Sequence, residues 1–262
     1  MKSEWNGRWA LVTGASAGIG KAFARELSSL GTHLILTARR GDRLQELAAE
    51  LRSKHKIDTK IVEADLAEPS APKEIFRFTK ELGIAVDLLI NNAGFGQYGE
   101  FPSVDPRRLL DMVQVNCTAV VHLTRLFLPD MMARRRGDVL IVASTVAFQA
   151  VPYISTYAAS KVFDLFLAEG LAEEMKPHGI RVCALCPGST ESEFHEAAGH
   201  PSHARRRSES AEKVAKTGLR ALAAGKSYVI SGLGNYLGAH SERLVPRRLV
   251  TRIAASMFRP RP

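Results

Sequence analysis

The sequence has few cysteines and no long hydrophobic run, and each shortage excludes a class of protein. Three cysteines in 262 residues are too few, and odd in number, for a disulfide framework, so we expect a reducing, cytoplasmic environment. The uncharged stretch 139–159 contains a Ser/Thr pair, Gln149 and Pro152, whereas a membrane-spanning helix needs about 20 predominantly apolar residues. Residues 1–9 contain no apolar segment of the kind found in secretory signals.

The chain also lacks linkers, internal repeats and low-complexity tracts. Apolar residues make up 45% and charged residues 24% of the composition, which is the ordinary range for globular proteins. A chain of 262 residues is long enough for one large α/β domain and short for two. We therefore expect residues 1–262 to form a single domain.

The charge is strongly positive but dispersed. The net charge of +9 raises the question of a nucleic-acid or membrane partner. Arg134–Arg136 are expected to end a helix, where cations complement the helix dipole and Gly137 can cap it. No basic run is interleaved with aromatic residues that could stack on bases. We therefore expect no nucleic-acid partner.

Short apolar strands alternate with amphipathic helices along the whole chain. Runs rich in Val, Ile and Leu are predicted to be strands: 8–13, 33–37, 59–62, 87–91, 138–143, 180–186 and 227–231. This alternation predicts a Rossmann-type α/β fold, a doubly wound parallel sheet of about seven strands in three α/β/α layers. Cys183 and Cys186 are three apart in one strand, so they face opposite sides of the sheet and are expected to be small buried side chains.

A glycine-rich turn follows the first predicted strand and opens the first helix, from Thr13 to Gly20. Glycines there permit a tight turn, and they let backbone N–H groups approach a pyrophosphate at the helix N-terminus. The turn therefore predicts a dinucleotide-binding site. Its predicted contacts are Gly14, Ser16, Gly18, Ile19 and Gly20.

The end of the second strand indicates which dinucleotide is bound. An acidic residue there would accept hydrogen bonds from the ribose 2′-OH of NAD. The sequence has Ala38-Arg39-Arg40 instead, and a guanidinium can pair bidentately with a 2′-phosphate. Arg39 therefore predicts NADP as the cofactor, the alternative being that both arginines are solvated loop charges.

Further motifs occur in a fixed order between residues 8 and about 192. They are Asp65-Leu66, Asn91-Asn92-Ala93-Gly94, Asn116, Ser144, Tyr157-x-x-x-Lys161 and Pro187-Gly188. Each motif alone could be coincidence, but the ordered set with the glycine turn is specific. The chain resembles the short-chain dehydrogenase/reductase family, and within it bacterial NADP-dependent ketoacyl and hydroxysteroid-type reductases.

The resemblance implies further cofactor contacts. Asp65 would contact the adenine amino group, and residues 91–94 would run past the adenosine ribose. The family usually has Thr five residues after the Pro, where this chain has Ser192, so either Thr190 or Ser192 would hold the nicotinamide carboxamide. The implied set is Asp65, Leu66, Asn91, Ala93, Gly94, Tyr157, Lys161, Pro187, Gly188, Thr190 and Ser192.

The resemblance also implies the catalytic residues. Reducing a ketone develops negative charge on its oxygen, so a proton donor must lie within hydrogen-bond reach. Tyr157 would be that acid, Lys161 would lower the pKa of the tyrosine and bind a ribose hydroxyl, and Ser144 would orient the carbonyl. Asn116 would hold a water that relays protons from the lysine to solvent. Tyr157 and Lys161 are four apart and therefore lie on one helix face.

Three loops, near 95–101, 145–153 and 192–210, are expected to enclose the substrate. Their apolar side chains suit an acyl chain or a steroid, and these are Phe95, Tyr98, Phe148, Val151, Tyr153 and Phe194. His195, His200 and His203 lie in the last loop without cysteine or clear carboxylate partners. They predict a polar lid rather than a metal site, and no metal is expected.

Two expectations concern partners. The segments 107–136 and 156–176 resemble the helices that pair across a two-fold axis in the family, so a homodimer or homotetramer is expected. The basic tail 246–262 has Leu249, Val250, Ile253, Ala254 and Met257 on one helical face. We expect it to dock on its own sheet or on a partner subunit, with an acidic membrane surface as the less favoured alternative.

The expected function is NADPH-dependent reduction of a carbonyl in an apolar substrate. One alternative is the same mechanism run in the oxidising direction, as an alcohol or hydroxysteroid dehydrogenase. Arg39 disfavours it, because cells usually keep NADP reduced. Another is an NADPH-sensing protein without catalysis, which Ser144, Tyr157 and Lys161 disfavour.

Replacing Arg39 by Asp tests the choice of cofactor. The substitution removes a hydrogen bond to a charged group, worth about 1.5–3 kcal/mol, and places a carboxylate near the ribose. NADPH binding should weaken by about tenfold or more, whereas NADH binding should change little. Fluorescence titration with both cofactors measures this, and equal losses for the two would contradict the assignment.

Overall fold

The computed structural model describes residues 4–194, 198–199 and 208–260, without the side chain of Arg243, and it places seven parallel strands in one sheet. The strands are β1 (Trp9–Thr13), β2 (His33–Ala38), β3 (Thr59–Glu63), β4 (Val86–Asn91), β5 (Gly137–Val142), β6 (Ile180–Cys186) and β7 (Tyr228–Ile230). Their order across the sheet is β3-β2-β1-β4-β5-β6-β7. The predicted fold class is confirmed.

Helices cover both faces of this sheet. They are α1 (Gly18–Ser29), α2 (Gly41–His55), α3 (Ala71–Glu81), α4 (Pro106–Val113), α5 (Ala119–Ala133), α6 (Ser155–Met175), α7 (Ala211–Ala223), α8 (Leu233–Ser241) and α9 (Arg247–Phe258). Buried side chains of α1, α2 and α7 pack on one face, and those of α3, α5 and α6 pack on the other. The carboxyl ends of the strands therefore meet at one edge, between two helical layers.

The strands are buried on both faces, as their continuous apolar character predicts. Leu34 and Leu36 of β2 belong to the core on one side of the sheet, and Ile35 belongs to the core on the other side. The same alternation separates Cys183 from Cys186, which are free, buried thiols in opposite cores. Burial raises the pKa of Cys183 to about 12. These two cysteines are therefore inert packing residues, as predicted.

The long predicted helix 107–136 is interrupted by a single π-helical turn. α4 ends at Val113, the π turn spans Gln114–Thr118, and α5 continues from Ala119. A π turn changes the direction in which side chains leave the helix, and such turns are frequent at functional sites. Here it turns Asn116 inwards, where the residue is completely buried.

The end of α5 differs from the prediction. The left-handed residue after this helix is Arg135, with φ of 49°, and not Gly137. Gly137 is the first residue of β5, where the Met131 side chain fills the space that a Cβ would take. Arg136 extends to the buried Asp87, with its Nη2 atom 3.0 Å from Oδ1. The glycine is therefore needed for packing rather than for capping.

The basic tail forms α9, which packs on its own chain beside a loop and a helix rather than on the sheet. Its buried residue Ala254 contacts a small apolar cluster with Val151, Ile154 and Ala158, from the loop after β5 and the start of α6. In the part of the chain that the structure describes, no helix combines the length and the hydrophobicity needed to cross a bilayer.

Candidate active site

One large cavity lies at the carboxyl edge of the sheet, where doubly wound folds bind their ligands. Its volume is about 1220 Å³. Most of the residues predicted from the sequence line it, although they come from distant parts of the chain. These are Gly14, Ser16, Gly18, Ile19, Arg39, Asp65, Leu66, Ala93, Gly94, Ser144, Tyr157, Lys161, Pro187, Gly188, Thr190 and Ser192.

Three predicted residues, Gly20, Asn91 and Asn116, are not in the cavity wall. A Cβ at Gly20 would come within 2.3 Å of the Gly14 carbonyl oxygen, so glycine lets α1 pack against the turn. Asn91 is buried in the sheet, where its Nδ2 atom donates to Thr124 Oγ1 at 3.0 Å. Direct cofactor contacts by Gly20 and Asn91 stay predictions, and the observed contacts of both residues support the turn and the strand from behind.

The glycine turn is shaped to receive an anion. Gly14 and Gly18 have φ of 66° and 51°, left-handed values that glycine adopts without strain. Asn92 holds the turn from β4, since its Nδ2 atom donates to the Thr13 carbonyl at 2.8 Å. Within the described chain, no side chain caps the N-terminus of α1, and its first turn has no acidic residue. The helix therefore keeps its first N–H groups for a negatively charged ligand.

Two arginines at the end of β2 line the same cavity. The Arg39 side chain is 67% exposed, and its Nη1 atom lies 3.9 Å from Asp65 Oδ2. Arg40, which the prediction did not include, donates from Nη2 to Ser16 Oγ at 3.1 Å and from Nη1 to Glu193 Oε2 at 2.7 Å. The Arg40 guanidinium thus lies beside the glycine turn and that of Arg39 lies near Asp65, and both face a cavity where they can pair with a phosphate.

Glu193 connects the last loop to α2 as well as to β2. Its Oε1 atom accepts a hydrogen bond from Arg43 Nη1 at 2.6 Å. The hydrogen bonds from Arg40 and Arg43 hold the pKa of Glu193 below its ordinary value. A carboxylate therefore occupies part of the basic site beside the glycine turn.

Ser144, Tyr157 and Lys161 come together where β5 meets α6. Ser144 follows β5, and its Oγ atom lies 3.4 Å from the Pro187 carbonyl oxygen. Tyr157 and Ser144 both line the cavity, and the Ser144 hydroxyl lies near enough to lower the pKa of Tyr157. Lys161 Nζ lies 5.8 Å from the centre of the tyrosine ring. The Phe194 ring covers Tyr157 with 5.1 Å between the ring centres. The three predicted catalytic side chains thus share one apolar corner of the cavity.

Burial dominates the titration of Tyr157. It raises the pKa of Tyr157 above the ordinary value near 10, although the charge of Lys161 and the hydrogen bond to Ser144 lower it. We expected the lysine to bring the pKa down. Its effect has that sign, but the net direction is upwards, because a phenolate in an apolar site loses its hydration.

The prediction missed Asp164, which lies three residues after Lys161 on α6. Lys161 Nζ donates to Asp164 Oδ2 at 2.9 Å and to the Val142 carbonyl at 2.8 Å, and both charged side chains are buried. Burial lowers the pKa of Lys161, but the attraction of Asp164 and Tyr157 outweighs it, and the pKa is raised. The i,i+3 spacing of an acid and a base on one helix was the signal available in the sequence.

Asn116 lies behind the predicted catalytic residues and joins three segments. Its Oδ1 atom accepts from the Phe95 N–H at 3.1 Å, and its Nδ2 atom donates to the Phe95 carbonyl and to Ser160 Oγ, both at 3.0 Å. A Cβ at Gly94 would lie 3.1 Å from Asn116 Oδ1 and 3.4 Å from Lys161 Nζ. The observed role of Asn116 is to hold the end of β4 against α6, and the proton relay stays a prediction.

The segment after β6 brings both candidate carboxamide partners to the cavity. Thr190 is buried, and its Oγ1 atom donates to the Gly188 carbonyl at 3.1 Å. Ser192 Oγ donates to the Thr190 carbonyl at 3.4 Å, and the Ser192 side chain lies against Gly18 of the glycine turn. Both hydroxyl groups can still accept a hydrogen bond, so the choice between them stays open.

The substrate end of the cavity has a wall that the sequence did not reveal. Phe95 and Phe194 line it as predicted, whereas Tyr98, Phe148, Val151 and Tyr153 stand outside the lining. The additional wall comes from α8, α9 and the turn between them, which contribute a set of small and apolar side chains: Ala239, Val245, Val250, Ile253, Ala254, Met257 and Phe258. Tyr98 supports this wall, since its Oη atom donates to the Phe258 carbonyl at 2.8 Å.

Glu242 is the acidic residue that α8 and the turn after it add to the cavity lining. Burial raises the pKa of Glu242 to about 7, so the carboxyl is partly protonated at neutral pH. His195, His200 and His203, the predicted polar lid, lie outside the described residues. Within the described residues, no cluster of three His, Cys, Asp or Glu side chains has the arrangement of a metal site.

The chain matches the family model of the short-chain dehydrogenases over residues 8–202. The chain therefore belongs to the short-chain dehydrogenase family, a family of oxidoreductases, as its motifs predicted.

Its relatives include the very-long-chain 3-oxoacyl-CoA reductases of Phaeosphaeria nodorum and Danio rerio. The first is 38% identical over 67% of this chain and 53% of its own length, and the second is 35% identical over 71% and 61%. The chain thus spans little more than half the length of these curated relatives.

Two solved structures are similar over nearly their whole length. A short-chain dehydrogenase from Sphingobium yanoikuyae in complex with NADPH superposes with a TM-score of 0.83 at 28% identity, covering 93% of this chain and 95% of that one. A bulky-bulky ketone specific alcohol dehydrogenase from Comamonas testosteroni gives a TM-score of 0.78 at 27% identity, with coverage of 90% and 92%.

Proposed function

We propose that this protein is an NADP(H)-dependent oxidoreductase that interconverts a ketone and a secondary alcohol. The observation that carries the proposal is that one cavity combines an anion-binding glycine turn and two arginines with Ser144, Tyr157 and Lys161. A protein that only sensed the cofactor would need the glycine turn and the two arginines, but it would not need Ser144, Tyr157 and Lys161.

The residues present fit NADP. The uncapped N-terminus of α1 and the left-handed glycines suit the pyrophosphate, and Arg39 and Arg40 suit the 2′-phosphate. The NADPH complex of the related Sphingobium yanoikuyae enzyme supports the same assignment. When bound, the nicotinamide supplies a hydride to the ketone carbon or accepts one from the alcohol.

Tyr157 gives the proton that the developing alkoxide needs. Because burial keeps its pKa above the ordinary value, the phenol is protonated at neutral pH and is ready to act as an acid. Ser144 lies near the tyrosine, whose pKa it lowers, and its hydroxyl can orient the same oxygen. The resting state of the site thus favours reduction over oxidation, because oxidation requires the phenolate.

Lys161 has a third donor to offer to a ligand. An ammonium group carries three N–H donors, and two of them are used by Val142 and Asp164. Since Lys161 also lines the cavity, the third donor can bind a ribose hydroxyl. The lysine therefore both orients the cofactor and stabilises negative charge on Tyr157.

The substrate is apolar and extended. Phe95, Phe194 and the α9 wall contribute apolar side chains to the cavity, beside the charged groups of Arg108, Asp111 and Glu242. The names of the relatives specify 3-oxoacyl thioesters and bulky ketones, and both substrates place a ketone next to a large hydrocarbon group. A medium-chain or long-chain 3-oxoacyl thioester is the substrate class that we propose first.

We also propose that two copies associate through α4, α5 and α6, in the cytoplasm. Large apolar side chains on these helices face solvent: Leu110, Val113, Val121, Phe163 and Phe166. Such a patch on adjacent helices is typical of a subunit interface. Three free cysteines support a reducing compartment.

Turnover with NADPH tests the proposed reaction. Purified protein is mixed with NADPH and acetoacetyl or longer 3-oxoacyl thioesters, a steroid ketone, a diketone and an aromatic aldehyde, and the loss of absorbance is followed. Removing the proton donor with Tyr157→Phe should lower the rate by about 10²–10⁴-fold and leave NADPH binding intact. Tyr228→Phe, outside the cavity lining, is the matched control. Undiminished activity in Tyr157→Phe would refute the assigned acid.

Replacing Asp164 by Asn tests the buried ion pair. Asp164 raises the pKa of Tyr157 through its charge, so its removal should lower that pKa. In the oxidising direction, which needs the phenolate, the pH of half-maximal rate should therefore move down. Glu173→Gln, on the exposed face of α6, should leave the profile unchanged. A lower melting temperature with an unmoved pH profile would mean that Asp164 only stabilises the fold.

The proposed dimer is tested with Phe166→Glu. A carboxylate at this exposed position places like charges close together near a two-fold axis and should shift a dimer to monomers in sedimentation velocity. Leu82→Glu, an exposed leucine after α3, is the control. A monomeric wild-type protein at micromolar concentration would contradict the proposed interface.

A further inference from the structure

The exposed apolar side chains of the described residues are concentrated at the C-terminal end. Half of the large hydrophobic side chains that face solvent lie between 233 and 257, and they are Leu233, Tyr236, Leu237, Leu244, Leu249, Ile253 and Met257. Leu233 is 75% exposed and Leu244 is 87% exposed. Single exposed apolar residues are ordinary, but a concentration of this kind marks a docking surface. We call this surface, formed by α8, α9 and the turn between them, the C-terminal face.

One side of α9 packs on the rest of the chain, and its other sides are exposed. Ala254 is buried against the loop after β5. Leu249 and Ile253 are four apart, so they form one stripe along the helix, and they remain exposed. Arg248 and Arg252 lie on the adjoining face at the same spacing and are also exposed. The helix therefore has three sides, one packed on the protein, one apolar and exposed, and one basic.

The C-terminal end of the sequence is rich in positive charge. Residues 243–262 contain six arginines and no acidic residue, against a net charge of +9 for the whole chain, and Glu242 is the one acidic residue of the sequence between 233 and 262. Arg247, Arg248, Arg252 and Arg259 are exposed, and none of them forms an ion pair within the described part of the chain. Their guanidinium groups are thus available for an anionic partner.

The charge also decides between two possible occupants of the face. If a second copy of the chain docked here across a two-fold axis, each apolar stripe would bring its neighbouring arginines against those of the other copy. α9 carries no acidic side chain that could neutralise them, and the carboxyl group of Glu242, in the turn before α9, lines the cavity. A bilayer with anionic lipids instead offers apolar surface and phosphate groups at the depths where an amphipathic helix places its leucines and arginines.

We propose that the C-terminal face docks on an anionic membrane surface, with the leucines and isoleucine of α8 and α9 among the lipid headgroups and the arginines on lipid phosphates. Ile253 is half exposed and also lines the cavity, so the docked face includes the rim of the cavity. The cavity then opens towards the lipid. That last consequence rests on the proposed function, whereas the docking itself does not.

Flotation with lipid vesicles tests the docking without any measurement of activity. The full chain is centrifuged with vesicles of phosphatidylcholine alone or of phosphatidylcholine mixed with phosphatidylserine. We expect flotation with the mixed vesicles only, and its loss at high salt. Arg248→Ser together with Arg252→Ser should weaken binding by about 25-fold, since each basic residue near an anionic surface contributes roughly fivefold.

Two further variants separate the contributions. Leu249→Ser with Ile253→Ser should abolish flotation and lower the melting temperature only slightly, because about half of each side chain is already exposed. Arg220→Ser with Leu82→Ser removes the same residue types from other exposed positions and should float like the wild type. Absence of flotation of the wild type with anionic vesicles would overturn the proposal. Flotation that is retained by both the arginine double variant and the Leu249 and Ile253 double variant would also overturn it. So would a dimer in sedimentation that the Leu249 and Ile253 substitutions convert to monomers, since a second copy would then cover the face.

Discussion

The buried ammonium of Lys161 is the interaction on which the rest of the site depends. A charge removed from water is costly unless it is paired and hydrogen-bonded, and here the Val142 carbonyl and the Asp164 carboxylate both bind it. One partner belongs to β5 and the other to α6, so the pair sets where the helix lies against the sheet. Tyr157, one helical turn before the lysine, is thereby held beside Ser144. The relative positions of Ser144, Tyr157 and Lys161 thus depend on the protein groups that bind the buried ammonium.

The same cation partly offsets the effect of burial on the pKa of Tyr157. Burial makes the phenolate costly, while Lys161 makes it less so. Asp164 moderates the lysine's effect at the tyrosine, because its negative charge lies close to both groups. The balance of the three groups, rather than any one residue, sets the direction in which the proton moves most easily.

Two consecutive residues of the last loop connect the two ends of the cavity. Glu193 accepts hydrogen bonds from Arg40 and Arg43 beside the glycine turn, and Phe194 lies on the ring of Tyr157. A segment between β6 and α7 therefore contacts both the arginines beside the glycine turn and Tyr157. The placement of this segment affects the binding of an anion and the covering of the tyrosine together, since neither contact can move far without the other.

Local pattern was enough to predict the layers of the fold and the core of the site. The strand bounds differ from the predicted ones by only a residue or two, because buried parallel strands are continuous apolar runs. Gly14, Ser144, Tyr157 and Lys161 were found because ordered motifs carried them. Asp164 was missed although its spacing from the lysine was visible, because an acid near a base on a helix is usually a solvated surface pair.

The sequence by itself determined the sheet, the glycine turn and the order in which the catalytic residues follow the strands, since each depends on residues that are neighbours in the chain. Only the tertiary structure decided the rest. It buried Asn116 through a π turn and placed α9 as a wall of the cavity. It also raised the pKa of Tyr157, although the charge of Lys161 lowers that pKa. These features depend on which segments exclude water from one another, and desolvation is a property of the packed molecule that no single segment carries.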